Sequence, residues 1–267
     1  MIRSPAVAGQ FYPDQPEKLV ELLQTFCSGT AGRISVPGIV APHAGYIYSG
    51  AIAGKVFSRV VVPDKVIVIG PNHQGTGHVG AVFGEGSWRT PLGQINIDSG
   101  LAARIIDGCR HFSADVTAHR FEHSLEVQIP FIQYLNPSAQ VVPICIGHLP
   151  LDTLIEAGES IADVITASGE PVLIIASSDM THFESADAAK RKDTLALERV
   201  EKLDPEGLYG TVRDNRISMC GVLPTVMMLA AARKLGAEKG EVVAYGTSGD
   251  VTGDNSDVVG YAGVVVS

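Results

Sequence analysis

Two rhythms of apolar and polar positions organise the chain. The first is a set of short unbroken runs rich in Val and Ile, each closed by a glycine, proline or serine turn. Lys65 to Gly70, Gly38 to Ala41 and Val172 to Ser177 are the clearest. Runs of this length with no polar alternation fit strands buried on both faces, as in a parallel sheet. The second rhythm is a spacing of three and four, which marks amphipathic helices. Leu19, Leu22, Leu23 and Phe26 define a helix over about 16–26, with Asp14 placed to cap it. Further helices are predicted near 50–59 behind Ser49, near 99–107, and from Glu122 through a break at Pro130. Others are predicted at about 151–166, 184–202, 205–213 and 222–235. Strands are predicted near 36–42, 65–70, 141–146, 171–177, 242–245 and 258–266. Val79 to Asp98, interrupted by Gly84, Gly86, Pro91 and Gly93, reads as short strands and turns. Residues 1–13 are irregular, yet Phe11 and Tyr12 predict that they pack on the body.

Strands and helices alternate along 1–267 with no composition break and no internal repeat, so one doubly wound α/β domain is expected. Hydrophobic residues make up 45% and charged residues 18%, which supplies ample core. The net charge of −9, with 20 scattered Lys and Arg, excludes a nucleic-acid groove, which needs a concentrated basic surface. No apolar run approaches a membrane span, and Met1 to Pro5 lacks a signal-peptide core, so a cytoplasmic location is expected. Cys27, Cys109, Cys145 and Cys220 are far apart and form no CxxC pair; they read as free thiols.

The polar residues that follow the apolar runs carry the candidate chemistry. In open α/β sheets, ligands bind outside the carboxyl ends of the strands. Pro42-His43, Asn72-His73 and Asp179-Met180-Thr181-His182 all fall there, so three imidazoles are expected to converge on one sheet edge. Two imidazoles, His43 and His73, suit a borderline transition metal, with Asp179, His182 or Cys220 open as the third ligand. Asp179 and His182, three apart, form a candidate acid–base pair in which the carboxylate fixes the imidazole tautomer; a helix cap at Ser178 or Asp179 is the alternative. In Glu122-His123-Ser124-Leu125-Glu126, helical spacing puts His123 and Glu126 on one face as a surface pair. His78, His111, His119 and His148 have no partner pattern and read as structural or solvated. Cys220 precedes Gly221 at a predicted helix N-terminus, a setting that lowers a thiol pKa, with a buried inert thiol as the alternative.

Six ordered stretches resemble the Memo family, whose prokaryotic branch is known as AmmeMemoRadiSam system protein B. They are Ala8-Gly9-Gln10-Phe11-Tyr12-Pro13, Pro42-His43-Ala44-Gly45-Tyr46-Ile47-Tyr48-Ser49-Gly50, Gly70-Pro71-Asn72-His73, Glu122-His123-Ser124-Leu125-Glu126, Ser177-Ser178-Asp179-Met180-Thr181-His182 and Met219-Cys220-Gly221. The closing Tyr245 to Asp250 and Val259 to Ala262 also match that branch. The resemblance implies a three-layer α/β/α fold with a largely parallel or mixed sheet, similar to class III (LigB-type) extradiol dioxygenases. It implies His43, His73 and Cys220 as ligands of one metal ion, with Fe(II) expected first and Cu or Zn as alternatives. Asp179 and His182 then line the pocket as catalytic residues. Phe11, Tyr48 and His123 form its wall, Phe11 standing where the animal members carry tryptophan.

On this basis the expected activity is that of a metal-dependent oxidoreductase. A thiolate in place of the dioxygenase carboxylate keeps one negative charge but is softer and oxidisable, so ring cleavage does not follow from the fold. A zinc-dependent hydrolase and a non-catalytic metal- or peptide-binding module with a vestigial site are the alternatives. The family name further implies radical-SAM and Ammecr-type partner proteins. A small-molecule or peptide ligand is expected, and no nucleic acid or membrane.

Overall fold

The structure, a computed structural model, describes residues 1–29 and 32–267. The apolar runs form a mixed sheet, nine-stranded among the described residues. Its strands are β2 (Gly38–Ala41), β3 (Lys65–Pro71), β4 (Gly80–Val82), β7 (Ser113–Ala114), β8 (Gln140–Ile146), β9 (Val172–Ser177), β10 (His182–Glu184), β11 (Gly240–Thr247) and β12 (Val258–Val266). The order is β10-β12-β2-β9-β3-β8-β4-β7, with β11 also pairing β12. The centre, β2-β9-β3-β8, is parallel, and β12 and β4 join it antiparallel on either side. A small second sheet is made of β1 (Ile2–Arg3), β5 (Ser87–Thr90) and β6 (Gly93–Asn96).

The central strands are apolar along their length, the terminal Lys65, Gln140 and Ser177 excepted, because both faces are covered. In β3, Val66 and Val68 enter one core while Ile67 and Ile69 enter the other. In β9, Leu173 and Ile175 join the first and Ile174 and Ala176 the second. The first core is closed by α1 (Pro16–Phe26), α2 (Tyr46–Arg59) and α4 (Ile129–Leu135). The second is closed by α3 (Ser99–Gly108), α5 (Leu151–Ser168), α6 (Ala186–Glu201), α7 (Pro205–Asp214) and α8 (Val222–Lys234). A single turn, α9 (Gly249–Thr252), lies between β11 and β12. The architecture is three-layer α/β/α.

Four local expectations are corrected. Helix α1 spans the expected residues, but Asp14 does not cap it; Gln15 is at the N-cap without a side-chain bond, and Pro16 presets the first turn. Helix α2 starts four residues early, at Tyr46, so Ser49 lies inside it and its hydroxyl donates back to the Ala44 carbonyl. This early start puts Tyr46 and Tyr48 in the first turn. The last hairpin is longer than its apolar pattern, with β11 running from Gly240 to Thr247 because β12 pairs it along that length.

The fourth correction bears on the site. Residues 122–125 are not helical. A 3-10 turn at Glu126–Gln128 leads directly into α4, and Pro130 lies in its first turn, where a missing N–H costs nothing. Helical spacing misleads here because Glu122 and Ser124 bond across to the strand ends, while Leu125, Ile129 and Ile132 are buried in the core below.

Candidate metal centre

Strands β2, β9 and β3 lie side by side, with Ala41 opposite Ser177 and Ile69 opposite Ala176. Their carboxyl ends therefore stop at one level. His43, Asp179 and His73 each follow two residues beyond a strand end. His43 is buried, at 2% exposure, whereas the His73 side chain is 29% exposed. The third imidazole comes from outside the strands: it is His123, on the irregular turn before the 3-10 segment. One ring nitrogen from each of His43, His73 and His123 lies within 4.8 Å of the others. Among the described residues, no other set of three His, Cys, Asp or Glu groups comes this close. His73 and His123 stack at 4.7 Å and 18°, and His43 stands edge-on to them at 5.3 and 5.5 Å.

Hydrogen-bond partners assign the tautomers. The Ser177 hydroxyl proton goes to the Ser124 carbonyl, 2.7 Å away, which can only accept. Ser177 Oγ therefore accepts from its other neighbours, Gln128 Nε2 at 2.8 Å and His43 Nδ1 at 3.0 Å. The His43 proton is thus on Nδ1 and the Nε2 lone pair is free. His73 Nδ1–H donates to Glu122 Oε1 at 2.8 Å and frees its Nε2 in the same way. The same Glu122 oxygen lies 3.5 Å from His123 Nδ1. A carboxylate or hydroxyl behind each imidazole is the second layer that orients histidines toward a metal.

The charge states suit a cation. Burial, with His123 and His73 nearby, holds the His43 imidazole well below the usual range, so it is neutral at neutral pH. Burial also lowers His123. Burial alone would raise Glu122, but hydrogen bonds and charge from His73 overcome it and hold the carboxyl at about 2. Burial pushes Asp179 above the usual carboxylate range, although the His43 N–H donates to it at 2.7 Å. Cys220 does not follow the helix-terminus expectation: burial and the Asp179 charge push its thiol up. Its Sγ lies 3.2 Å from His43 Nε2, so thiol hydrogen and imidazole lone pair share one contact. Cys220 is not one of the three groups that cluster within 4.8 Å, but the contact between its buried thiol and the neutral His43 imidazole fits a metal ion that replaces the thiol proton.

The remaining predicted residues border this cluster. Phe11 packs on His123 with ring centroids 4.8 Å apart, and Tyr48 is half-exposed on α2. Asp179 does not orient His182, a correction to the spacing argument. The chain turns after β9 so that Asp179 faces the end of β2, while His182 Nδ1 donates to the Ser218 carbonyl at 3.0 Å. Nε2 of His182 is thereby the free nitrogen. Glu126, read with His123 as a surface pair, is instead buried at 1%, and Glu122 beside them is buried at 0%. Glu126 accepts from Arg3, Tyr12 and the Ala6 and Val7 amides. Sequence reasoning also missed Ser177, Gln128 and Arg3. The one available signal was Glu122 and Glu126 on either side of His123, just ahead of the apolar residues Ile129 to Ile132. His119 is buried with Nε2 donating to the Ala81 carbonyl, His78 and His148 are exposed, and His111 pairs with Glu156. All four cysteines are free thiols. No helix is long and apolar enough to cross a membrane among the described residues.

Comparison with known proteins shows the family and the fold. The chain is 44% identical to a MEMO1 family protein of Methanopyrus kandleri, with 99% of each chain covered. It is 40% identical to a MEMO1 family protein of Aquifex aeolicus, over 99% of this chain and 98% of that one. The crystal structure of an uncharacterized protein from Escherichia coli K12 superimposes with a TM-score of 0.58, covering 87% of this chain and 100% of that one at 14% identity, and so shares the fold. The family model described as Memo-like protein matches residues 3–265. The chain belongs to the Memo family.

Proposed function

We propose that this protein is a metal-dependent oxidoreductase in which His43, His73 and Cys220 hold one ion, Fe(II) first, and His123 faces it from the pocket side. The single observation that carries this reading is the set of imidazoles whose Nδ1 protons are committed to Ser177 and Glu122. A second observation favours Cys220 as a ligand. Bond lengths of about 2.0 Å to nitrogen and about 2.3 Å to sulfur put two tetrahedral ligand atoms roughly 3.5 Å apart, and the His43 Nε2 to Cys220 Sγ contact is 3.2 Å. Mixed imidazole and thiolate donors select Fe(II), Cu(I) or Zn(II) over harder ions. Such an ion, when bound, supplies Lewis acidity and, for iron or copper, one-electron chemistry.

The protein's own groups do the rest. His182, with Nδ1 fixed by Ser218, offers Nε2 to take or give a proton at the pocket. Asp179, buried and held by the His43 amide, places a carboxyl between the tips of β2 and β3. Phe11 and Tyr48 shape the wall against which a substrate rests. The test is metal stoichiometry after anaerobic purification of wild type, His43→Ala, His123→Ala and Cys220→Ser. One equivalent of iron or copper, lost in His43→Ala and Cys220→Ser, is expected. Zinc with the same dependence replaces this reading by the hydrolase. No metal in any variant leaves the non-catalytic binding module.

A further inference from the structure

The amino-terminal segment enters the metal centre from behind, through one buried arginine. Arg3, 5% exposed in its side chain, lies on β1 and has its guanidinium 4.2 Å from the centre of the Trp88 ring. From there it spends its donors on one target, the turn that carries His123. Nε donates to the His119 carbonyl at 2.7 Å, Nη2 to the Glu122 carbonyl at 2.8 Å and Nη1 to Glu126 Oε2 at 2.7 Å. Glu126 returns the grip, accepting from the Ala6 and Val7 amides at 2.8 and 3.0 Å and from the Tyr12 hydroxyl at 2.7 Å. The same segment ends at Phe11, whose ring packs on His123 and whose carbonyl accepts from the Tyr46 amide at the start of α2.

The turn between these anchors has no regular secondary structure to fix it, so its carbonyls need outside donors. Arg3 supplies two of them, one on each side of the turn. The Glu122 carbonyl it holds belongs to the peptide bond that leads into His123. Glu122 in turn fixes the His73 imidazole through its side chain. One guanidinium thus sets the backbone on which both a metal-facing imidazole and the carboxylate behind another are mounted.

We propose that Arg3 is a positioning residue of the metal centre, and that residues 3–12 form a strap whose docking and metal binding are thermodynamically coupled. This rests on the metal-centre reading above. If an ion favours the strapped arrangement of His123 and His73, it stabilises the strap, and the strap strengthens the ion's binding by the same factor. Outer-layer partners of metal-binding histidines are typically worth about 10–100-fold in affinity.

The experiment compares wild type, Arg3→Met and Arg3→Lys by Zn(II) affinity and by the visible spectrum of the Co(II)-substituted protein. Hydrogen exchange is followed in the wild type with and without Zn(II). Arg3→Met is expected to bind Zn(II) roughly 10–100-fold more weakly with an altered Co(II) spectrum, and Arg3→Lys to recover part of both. Zn(II) should slow exchange at the Ala6 and Val7 amides by the same factor as at His73 and Ser124, and by more than at Val142 in β8. A folded Arg3→Met protein with unchanged affinity and spectrum overturns the proposal. So does protection at His73 and Ser124 without protection at Ala6 and Val7, a readout that stands even if the variant fails to fold. Absence of Zn(II) and Co(II) binding by the wild type sinks the metal-centre reading itself and this proposal with it.

Discussion

Glu122→Gln tests the construction of the site most directly. Glu122 is fully buried and accepts three hydrogen bonds, from the His73 amide at 2.7 Å, His73 Nδ1 at 2.8 Å and the Ser124 amide at 2.9 Å. A glutamine oxygen can keep part of this set, but its amide group then points hydrogen at donors that already carry hydrogen. Two routes give the magnitude. The carboxyl is held at about 2 against its ordinary 4.5, which at about 1.4 kcal/mol per tenfold is on the order of 3 kcal/mol. Losing one or two hydrogen bonds to a buried charge costs about 1.5–3 kcal/mol each. Both point to a loss of about 3 kcal/mol in the metal-free protein at neutral pH. For a chain of this size that lowers the urea midpoint by about 1 M, read by circular dichroism in the presence of a chelator. The pH dependence has a definite sign. A carboxyl whose pKa is depressed in the folded state stabilises fully above its unfolded value, and that stabilisation fades as pH falls from about 4.5 toward about 2. The wild type should therefore lose its advantage over the variant across that window. A difference below about 0.5 kcal/mol at neutral pH, or one unchanged at about pH 3, refutes the assignment of Glu122 as an ionised anchor of His73.

Two further outcomes are expected. Burial, reinforced by the Arg3 charge, holds the His119 imidazole at about 4 instead of 6.5. Folding thus favours the neutral ring, and stability present above about 6.5 is lost as pH falls toward about 4, by on the order of 3 kcal/mol in full. His119→Gln, which keeps a donor for the Ala81 carbonyl, should flatten that part of the pH–stability curve, and an unchanged curve contradicts the mechanism. In Gly221→Ala the new methyl would run into the Ser177 carbonyl oxygen and the Ser178 backbone. The variant should lose about 1–3 kcal/mol and, because Cys220 is the preceding residue, show an altered Co(II)–thiolate absorption band; an unaltered band in a folded variant counts against a ligating Cys220.

The sequence by itself determined the layers. Strands β2, β3, β8 and β9 are apolar except at the terminal residues Lys65, Gln140 and Ser177, and only a sheet covered on both faces buries such runs without leaving apolar surface in water. The rule that sites form beyond the carboxyl ends of parallel strands then located His43 and His73, because both follow an apolar run by two residues. These are local facts, encoded in consecutive side chains. The family was legible too, since its motifs are short and ordered along the chain.

What the tertiary structure decided is everything that depends on segments far apart. Helical spacing at Glu122 to Ile132 suggested a surface helix, yet the local preference yields to bonds made across 49 residues to His73 and 53 residues to Pro71. Cys220 has the local setting of an activated thiol, but its environment comes from His43 and Asp179 beyond the ends of β2 and β9, and burial with the Asp179 charge raises its pKa. Asp179 and His182 are near neighbours in sequence, but strand order decides their partners: β9 lies between β2 and β3, so Asp179 meets the His43 amide, while His182 turns to Ser218. Nor could any spacing couple Arg3 to the turn at 119–126, since a side chain's long-range partner is set by how the layers stack. Periodicity reports which face of an element is buried; it carries no information about which distant backbone will be waiting there.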